Sequence, residues 1–445
     1  MMGYAPILRL PRGAGVLLSR GVGVLLSRGA GVSPAMSFAV ARVAGSRALF
    51  IFLIGVLTMS PLIAAPRDYH FDGSISRPVL DNYLSRAVTM MDLLTPQGNL
   101  DDNIRMLKHT GVKYAGRVVY RWGGEAELPA LLIRARESAR KVHAADPEMI
   151  LQAGVFEIVT RGVESLPVPD WVFREFGQPI EKRNFRYDAM LFPESDFRDH
   201  WGKDASVPDM RQLETRMWFY YAAANYIDIG CEAIHFGQVH LIGAKDKGWA
   251  NWWDMLSRVR RYAKVHARRH LVLCDAHTHG LCYAGDKLLF DLHAYPLRIK
   301  DVPDRPQEGI LEVGYLDTIF GKSAGGLTPS GWRCDALPYI VELDNWGASG
   351  KEGQHVGDWW TWGYDEISWF AHQPEPYRND WLRYAWEWLR EHDRNGHLQM
   401  PASRCLAAPV NKDISWYWAN NRSPAVPTGF GQEDTIRSIW QADTP

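Results

Sequence analysis

The order of hydrophobic and polar residues alternates between two periods from about residue 75 to residue 405. Apolar residues at helical spacing predict helices at 100–111, 127–145, about 210–228, about 250–267 and 376–393. Runs rich in β-branched and aromatic residues predict eight strands between them, at 87–94, 113–122, 149–159, 232–242, 270–277, 288–297, 339–346 and 397–403. This alternation predicts an α/β fold, a single (β/α)8 barrel with long βα loops.

Four predicted strands change from apolar to polar near their carboxyl ends, where a barrel carries its chemistry. The polar residues are Glu157 in the third strand, Asp275 and His277 in the fifth, Asp291, His293 and Tyr295 in the sixth, and Glu342 and Asp344 in the seventh. In the sixth strand, we expect Phe290 and Leu292 to face away from this polar set. The fourth strand adds His235 and Gln238. Such a convergent set of polar groups favours an active site over isolated buried residues.

Two chemistries fit these residues. Glycoside hydrolysis needs two carboxyl groups, one that donates a proton and one that acts as nucleophile or base. The alternative is hydrolysis assisted by a metal ion, which needs nitrogen and oxygen ligands on neighbouring strands. The ligands for that alternative would be His277, His279, Asp275, Asp291 and His293.

The first 65 residues differ in composition from the rest of the chain. They hold six arginines and no Asp, Glu or Lys. Residues 36–65 follow the pattern of a signal peptide, with basic residues, the apolar run ALFIFLIGVL and small residues before a cleavage site. Residues 1–35 contain a repeat of eight residues and are interpreted as a mis-annotated extension ahead of Met36. We therefore expect a secreted or periplasmic protein that is not inserted in the membrane after cleavage, with residues 66–445 as one catalytic domain.

Charge and cysteine content exclude several classes of protein. Without the first 65 residues the net charge is −7, because the whole chain carries −1. This acidity argues against a nucleic-acid partner. The five cysteines are an odd number with no C-x-x-C pair, and no glycine-rich dinucleotide motif follows the first strand. The leading hypothesis, glycoside hydrolysis, needs no metal ion, and no cofactor is predicted.

Tryptophan is abundant in the part of the chain after residue 65. All 19 residues lie there, and 12 fall between Trp332 and Trp440. The cluster Trp359, Trp360 and Trp362 lies in a glycine-rich and polar context, together with the carboxylates Asp365 and Glu366. Aromatic rings in loops can stack on the apolar face of a sugar, so we predict that this loop lines a carbohydrate cleft with Trp346.

The signal peptide, the (β/α)8 pattern, the Trp-rich loops and the segment YIVELDNWG (339–347) together resemble the TIM-barrel glycoside hydrolases with a nucleophilic Glu at the seventh strand. The resemblance implies Glu342 as nucleophile or base. It also implies an acid/base Glu at the end of the fourth strand, but this chain has Gln238 there. Glu157 is the nearest substitute as the acid, with the pair Asp365 and Glu366 as another possibility.

The sequence therefore predicts a secreted enzyme that cleaves glycosidic bonds of a poly- or oligosaccharide. The predicted catalytic residues are Glu342, Asp344 and Glu157. The predicted substrate-binding residues are Asp275, His277, Asp291, His293, Tyr295, His235, Gln238, Trp346, Trp360, Trp362, Asp365 and Glu366. The alternatives are a metal-dependent hydrolase and a carbohydrate-binding barrel without activity.

Overall fold

The computed structural model describes residues 67–91, 93–95, 97–302, 304–345 and 364–443. The principal strands are β1 (Ala87–Met90), β2 (Tyr114–Arg121), β3 (Ile150–Val155), β4 (Ala233–His235), β5 (Leu273–Asp275), β6 (His293–Pro296), β7 (Tyr339–Glu342), β8 (Gly396–Leu398), β9 (Met400–Cys405) and β10 (Trp416–Trp418). The α-helices are α1 (Arg77–Leu84), α2 (Leu100–Thr110), α3 (Leu128–Ala145), α4 (Asp170–Glu175), α5 (Leu213–Asp228), α6 (Val239–Ile242), α7 (Ala250–His266), α8 (Glu366–His372), α9 (Glu375–His392) and α10 (Glu433–Ala442).

The strands form two mostly parallel sheets. The larger sheet has seven strands in the order β10-β9-β1-β2-β3-β4-β5, and the smaller has the order β6-β7-β8. All neighbouring pairs in both sheets are parallel except β9 with β10. A parallel bridge between His277 and Ala294 joins the segment after β5 to β6. On the other side, Gln399 alone separates β8 from β9. The fold is therefore mixed α/β, as expected.

The connections after the strands carry further short strands. Their bounds are Val159–Thr160, Ala205–Ser206, Cys282–Tyr283, Lys287–Leu288, Lys300–Val302, Arg305–Ile310, Gly326–Leu327 and Arg333–Cys334. Single turns of 3-10 helix lie at Glu125–Glu127, Arg161–Ser165, Asp188–Met190 and Lys247–Trp249. These elements belong to long βα connections, which is where the sequence predicts long loops.

Local sequence signals set the ends of the predicted helices, and α2 is a clear example. The Asn99 side chain accepts a hydrogen bond from the backbone N–H of Asp102 and so caps the helix start. Asp101 and Asp102 complement the positive end of the helix dipole. Gly111, with φ of 84°, ends the helix in the left-handed conformation that glycine adopts easily. All five predicted helices are present, as α2, α3, α5, α7 and α9.

Alternate residues of the strands pack into two apolar clusters. The larger cluster joins one face of the strands to helix side chains, such as Leu131 of α3 and Val259 of α7. The smaller cluster joins the opposite face to α1, and seven strands contribute to it: Ala87, Tyr114, Ile150, Ala233, Leu273, Ala294 and Ile340. The face that carries the smaller cluster is thus common to β1 through β7.

Two details of the sequence-based assignment are wrong. The predicted strand 232–242 ends at His235, and residues Val239–Ile242 form the short helix α6 instead. Leu292 was expected to face away from the polar set, but it lies in the smaller cluster together with Ala294, whereas Phe290 lies in the larger cluster. Alternation shows which residues share a face, but both faces of this segment contain apolar side chains, so it cannot show which face is interior.

Candidate active site

Glu342, at the carboxyl end of β7, is the centre of a buried ionic cluster. Its side chain is bound by Arg117 through Nε at 3.1 Å and through Nη2 on the other oxygen. Arg404 Nη1 donates at 2.8 Å, and so does the Thr89 hydroxyl. Burial raises the pKa of Glu342, but Arg117 and Arg404 outweigh this and hold it well below its usual range. Glu342 is therefore ionised at any physiological pH.

Arg117 reaches Glu342 from an irregular part of β2. The register of β2 shifts between Ala115 and Val119, and Arg117 has a left-handed φ of 59°. Its backbone N–H donates to Gln152 Oε1 at 3.2 Å. A Cβ on the preceding residue, Gly116, would lie 2.0 Å from Gln399 Nε2, so any larger residue there requires the Gln399 side chain to move. The bulge thus turns a cationic side chain toward the carboxylate of a distant strand.

His235 and Asp275 form a second buried pair beside this cluster. His235 Nδ1 lies 2.6 Å from Asp275 Oδ2, and Gln152 Nε2 donates to Asp275 Oδ1 at 2.6 Å. Burial raises the pKa of Asp275 to about 8. Burial and the charge of Arg117 lower the pKa of His235 well below its usual value. The pair therefore contains a neutral imidazole and a carboxyl group that keeps its proton at neutral pH.

Glu157 and Gln238 form a third pair. Glu157 Oε2 accepts the backbone N–H of Gln238, and Oε1 accepts its side-chain Nε2, both at 2.8 Å. Glu157 is 3% exposed, and burial raises its pKa. The amide that stands at the predicted position of the acid is thus held against the carboxyl group of the neighbouring strand.

Arg117, Glu342, His235 and Asp275 line a small polar cavity. Its empty space, which includes space open to solvent, is about 190 Å³. The lining residues are Arg117, Gln152, His235, Asp275, Ala294, Tyr295, Ile340, Glu342 and Gln399. His277 lies next to the cavity, with its ring 4.7 Å from that of His235 and its Nε2 3.3 Å from Arg117 Nη2. Because a guanidinium group only donates, His277 Nε2 accepts here and carries no proton.

Asp344 lies at the edge of the same cluster. Its carboxylate is 3.3 Å from Arg404 Nη2 and 3.5 Å from Arg298 Nη1. Arg298 also donates to Asp317 Oδ1 at 2.5 Å, and the Tyr295 hydroxyl donates to Asp317 Oδ2 at 3.0 Å. Positive and negative side chains therefore alternate from Glu342 toward Tyr295.

Sequence reasoning missed the cationic half of the site. Arg117, Arg298 and Arg404 pair with the predicted carboxylates, and Asp317 comes from a connection without a motif. Arginine is mostly a surface residue, so a single arginine in a strand gives little signal. The signal available was that Arg117 interrupts one predicted strand and that Arg404 directly follows another.

Three predicted site residues lie with other partners. Asp291 accepts from Arg260 of α7 at 3.1 Å and from the Cys274 backbone N–H at 2.9 Å. His293 Nδ1 lies 2.9 Å from Ser323 Oγ. His279 stacks on Tyr295. Among the residues described, His, Cys, Asp and Glu form no group of three arranged to hold a metal ion.

Asp365 and Glu366 support the backbone instead of facing an open cleft. Asp365 caps α8 by accepting the Ser368 N–H at 2.7 Å, and burial raises its pKa to about 6. Glu366 accepts the backbone N–H groups of Ile299 and Asp344, both at 2.9 Å. Burial raises the pKa of Glu366 to about 7. Trp346, Trp359, Trp360 and Trp362 lie outside the described residues.

A different aromatic surface adjoins the cavity. Trp122, directly after β2, is 46% exposed. Its ring is 5.1 Å from Trp201 and 5.5 Å from Phe156. The ring of Phe156 is in turn 5.7 Å from that of His235. The exposed ring of Trp122 is therefore linked to His235, which lines the cavity, through the buried ring of Phe156, and the sequence did not single it out.

Comparison with known proteins gives no assignment by sequence. No protein-family model matches the chain, and no curated protein matches it. Among solved structures, it is similar to a debranching enzyme from Nostoc punctiforme. The native form has a TM-score of 0.34 and 10% identity over 60% of this chain and 65% of that chain. A form soaked with acarbose has a TM-score of 0.38 and 10% identity over 81% of each chain. TM-scores of this size do not establish a common fold.

Proposed function

We propose that this protein hydrolyses glycosidic bonds of a poly- or oligosaccharide. The observation that carries the proposal is the contrast between carboxyl groups in one cluster. Arg117 and Arg404 keep Glu342 ionised, whereas burial raises the pKa of Asp275 to about 8 and also raises the pKa of Glu157. Paired carboxyl groups with opposite protonation states are what glycoside hydrolysis requires, one as proton donor and one as anion.

We further propose that the two sheets form one (β/α)8 barrel. In its support, the His277–Ala294 bridge joins β5 to β6, and β8 continues into β9 across Gln399. The Gln399 backbone N–H also donates to the Val341 carbonyl, while its side chain donates to the Val88 carbonyl at 3.0 Å. The common cluster of residues from β1 to β7 is the packing expected inside a small barrel.

Within this proposal, Glu342 is the anionic member of the pair and acts as nucleophile or base. Asp344 shares Arg404 with it and so tunes the charge around it. Support for a role of His277 and Tyr295 in binding substrate hydroxyl groups is that Tyr295 lines the cavity and that the His277 ring lies beside it. The exposed ring of Trp122 provides the surface on which a sugar ring can stack.

The test is release of reducing ends from a panel of polysaccharides and oligosaccharides by the purified protein, with Glu342→Gln and Asp344→Asn as variants. We expect turnover of at least one substrate and a loss of at least about 10³-fold in kcat for Glu342→Gln in its folded fraction. Near-normal turnover by both variants would refute the assignment of these carboxylates.

The same panel separates the two other candidate functions. Binding of a polysaccharide without turnover would favour a carbohydrate-binding protein. In that case the hydrogen bonds from Arg117 and Arg404 would give Glu342 a structural role instead of a catalytic one. Activity that is lost on chelation and restored by zinc or manganese would favour the metal-dependent hydrolase.

We also propose that the protein is exported, on the basis of the signal-peptide pattern at 36–65. Those residues lie outside the described ranges. Within the described ranges, the helices are too short or too polar to cross a bilayer. N-terminal sequencing of the protein recovered outside the cytoplasm would test the proposal, with a new terminus near residue 65 as the expected result.

A further inference from the structure

The proposed reaction needs a proton donor, and Gln238, which stands where the acid was expected, cannot supply the proton. Glu157 was the candidate from the sequence, but both of its oxygens accept hydrogen bonds from Gln238. Glu157 is also absent from the residues that line the cavity. These contacts indicate that Glu157 positions Gln238. They do not indicate that Glu157 transfers a proton to a substrate.

His235 has the opposite arrangement. Its side chain is 2% exposed and lines the cavity. Nδ1 is bound to Asp275, whose other oxygen is fixed by Gln152, whereas Nε2 has no hydrogen-bond partner among the described residues. A buried ring nitrogen without a partner costs free energy, and such a group at a cavity is kept where a ligand completes it.

We propose that His235, backed by Asp275, is the proton donor to the glycosidic oxygen, an inference that rests on the proposed hydrolase function. In the step, the Nε2–H proton passes to the glycosidic oxygen while the bond from that oxygen to the anomeric carbon breaks. The bond electrons stay on the oxygen, which leaves as an alcohol. Asp275 passes its proton to Nδ1, so that the pair ends with one negative charge. With Glu342 as the nucleophile, its carboxylate bonds the anomeric carbon as the glycosidic bond breaks. Water then displaces Glu342, adds its hydroxyl group to the anomeric carbon and returns one proton to the pair.

The surroundings of His235 agree with a proton on Nε2. A protonated carboxyl group of Asp275 donates to Nδ1, and the imidazole then carries its own proton on Nε2. The charged and titratable groups that face the ring are Asp275 and His277 beside it, Arg117 from β2 and Glu342 from β7, with Arg404 and Asp344 further away. Burial and the charge of Arg117 disfavour a second proton on the ring and outweigh the anion of Glu342, which favours it. The imidazole is therefore neutral, and its one proton is on Nε2 when Nδ1 accepts from Asp275.

The leaving-group dependence of the rate tests the donor. His235→Asn is the best variant, because the Asn amide can replace Nδ1 at Asp275 while Nε2 is removed. His235→Gln serves as the second variant if the first unfolds, and Glu157→Gln is the matched control. The substrates are the phenyl and 2,4-dinitrophenyl glycosides of the sugar that the native protein hydrolyses.

We expect His235→Asn to lose about 10²–10⁴-fold in kcat/KM on the phenyl glycoside. It should lose less than about tenfold on the dinitrophenyl glycoside, whose leaving group needs no proton. Glu157→Gln should affect both substrates alike. Equal losses on both substrates for His235→Asn, or a loss selective for the phenyl glycoside in Glu157→Gln, would overturn the proposal.

A second measurement does not depend on turnover. In protein labelled with ¹⁵N-histidine, the signal missing from His235→Gln identifies His235, and its chemical shift reports whether Nε2 is protonated at pH 6.5. We expect a protonated Nε2, and an unprotonated Nε2 would overturn the donor role even if glycosides are hydrolysed. Failure of the native protein on every glycoside, with a protonated Nε2, would instead refute the hydrolase function and with it this step.

Discussion

Replacement of Glu342 by Gln should destabilise the folded protein, because it removes the counter-charge of two buried arginines. The side chains of Arg117 and Arg404 are 11% and 6% exposed. Removal of one partner from a buried ion pair costs about 3–5 kcal/mol of unfolding free energy. Arg404 keeps its contact with Asp344 at 3.3 Å, so we expect a loss near the lower limit, about 3 kcal/mol.

The effect should depend on pH in a defined direction. The pKa of Glu342 is lowered in the folded state, so its contribution is present above the unfolded pKa and is lost as the pH falls below that value. With an unfolded pKa of about 4.3, the difference between native protein and Glu342→Gln should shrink by roughly 1–2 kcal/mol between pH 5 and pH 3.

Urea unfolding at pH 7, 5 and 3 measures both quantities, with an unchanged m-value as the sign that the same structure unfolds. The matched control is Glu148→Gln, because Glu148 is 50% exposed and pairs with Lys113 at 2.6 Å. That surface pair should contribute less than about 1 kcal/mol. If Glu342→Gln lowers the unfolding free energy no more than the control does, the arginines are not held by this charge.

Three further predictions follow from single contacts. Trp122→Ala should raise KM for an oligosaccharide by about 3–10-fold with little change in stability, whereas Trp253→Ala as a control should leave KM unchanged. The pKa of Glu366 is raised to about 7, so its contribution to the unfolding free energy is lost as the pH rises from about 4.5 through 7. The urea midpoints of Glu366→Gln at pH 5 and pH 8 should therefore differ less than those of the native protein. Gln238→Glu should place two carboxyl groups in contact at Glu157, and its unfolding free energy should fall by about 1–3 kcal/mol between pH 5 and pH 8; a flat profile would show that Glu157 moves away.

The order of elements was predictable because helix caps and strand periods are local signals. Each of the eight predicted strand segments contains all or part of a strand, but several strands are shorter than predicted. In the fourth, Gly237, with φ of 57°, turns the chain after β4. Helices α1, α4, α6, α8 and α10 were not predicted. They are short, and their stability comes from packing more than from their own sequence.

The acidic residues of the site were partly predictable, whereas their partners were not. Glu342, Asp344, Asp275, His277 and His235 do meet, because the carboxyl ends of parallel strands lie together. Which of the carboxyl groups is ionised depends on contacts between residues that are far apart in the sequence. The ionised state of Glu342 follows from Arg117 and Arg404, which lie far from it in the sequence, and no short segment records that proximity.

The contact between β1 and β9 also limits the order in which this protein can fold. The Gln399 side chain that bonds the Val88 carbonyl lies 311 residues away along the chain. Contacts of such sequence separation form slowly, because the entropy of a long loop is lost before any pairing compensates it. One edge of β1 therefore stays unpaired until residues 400–405 have left the ribosome, and unpaired strand edges promote association between chains. Refolding from denaturant should accordingly show a slow last phase whose yield falls as protein concentration rises.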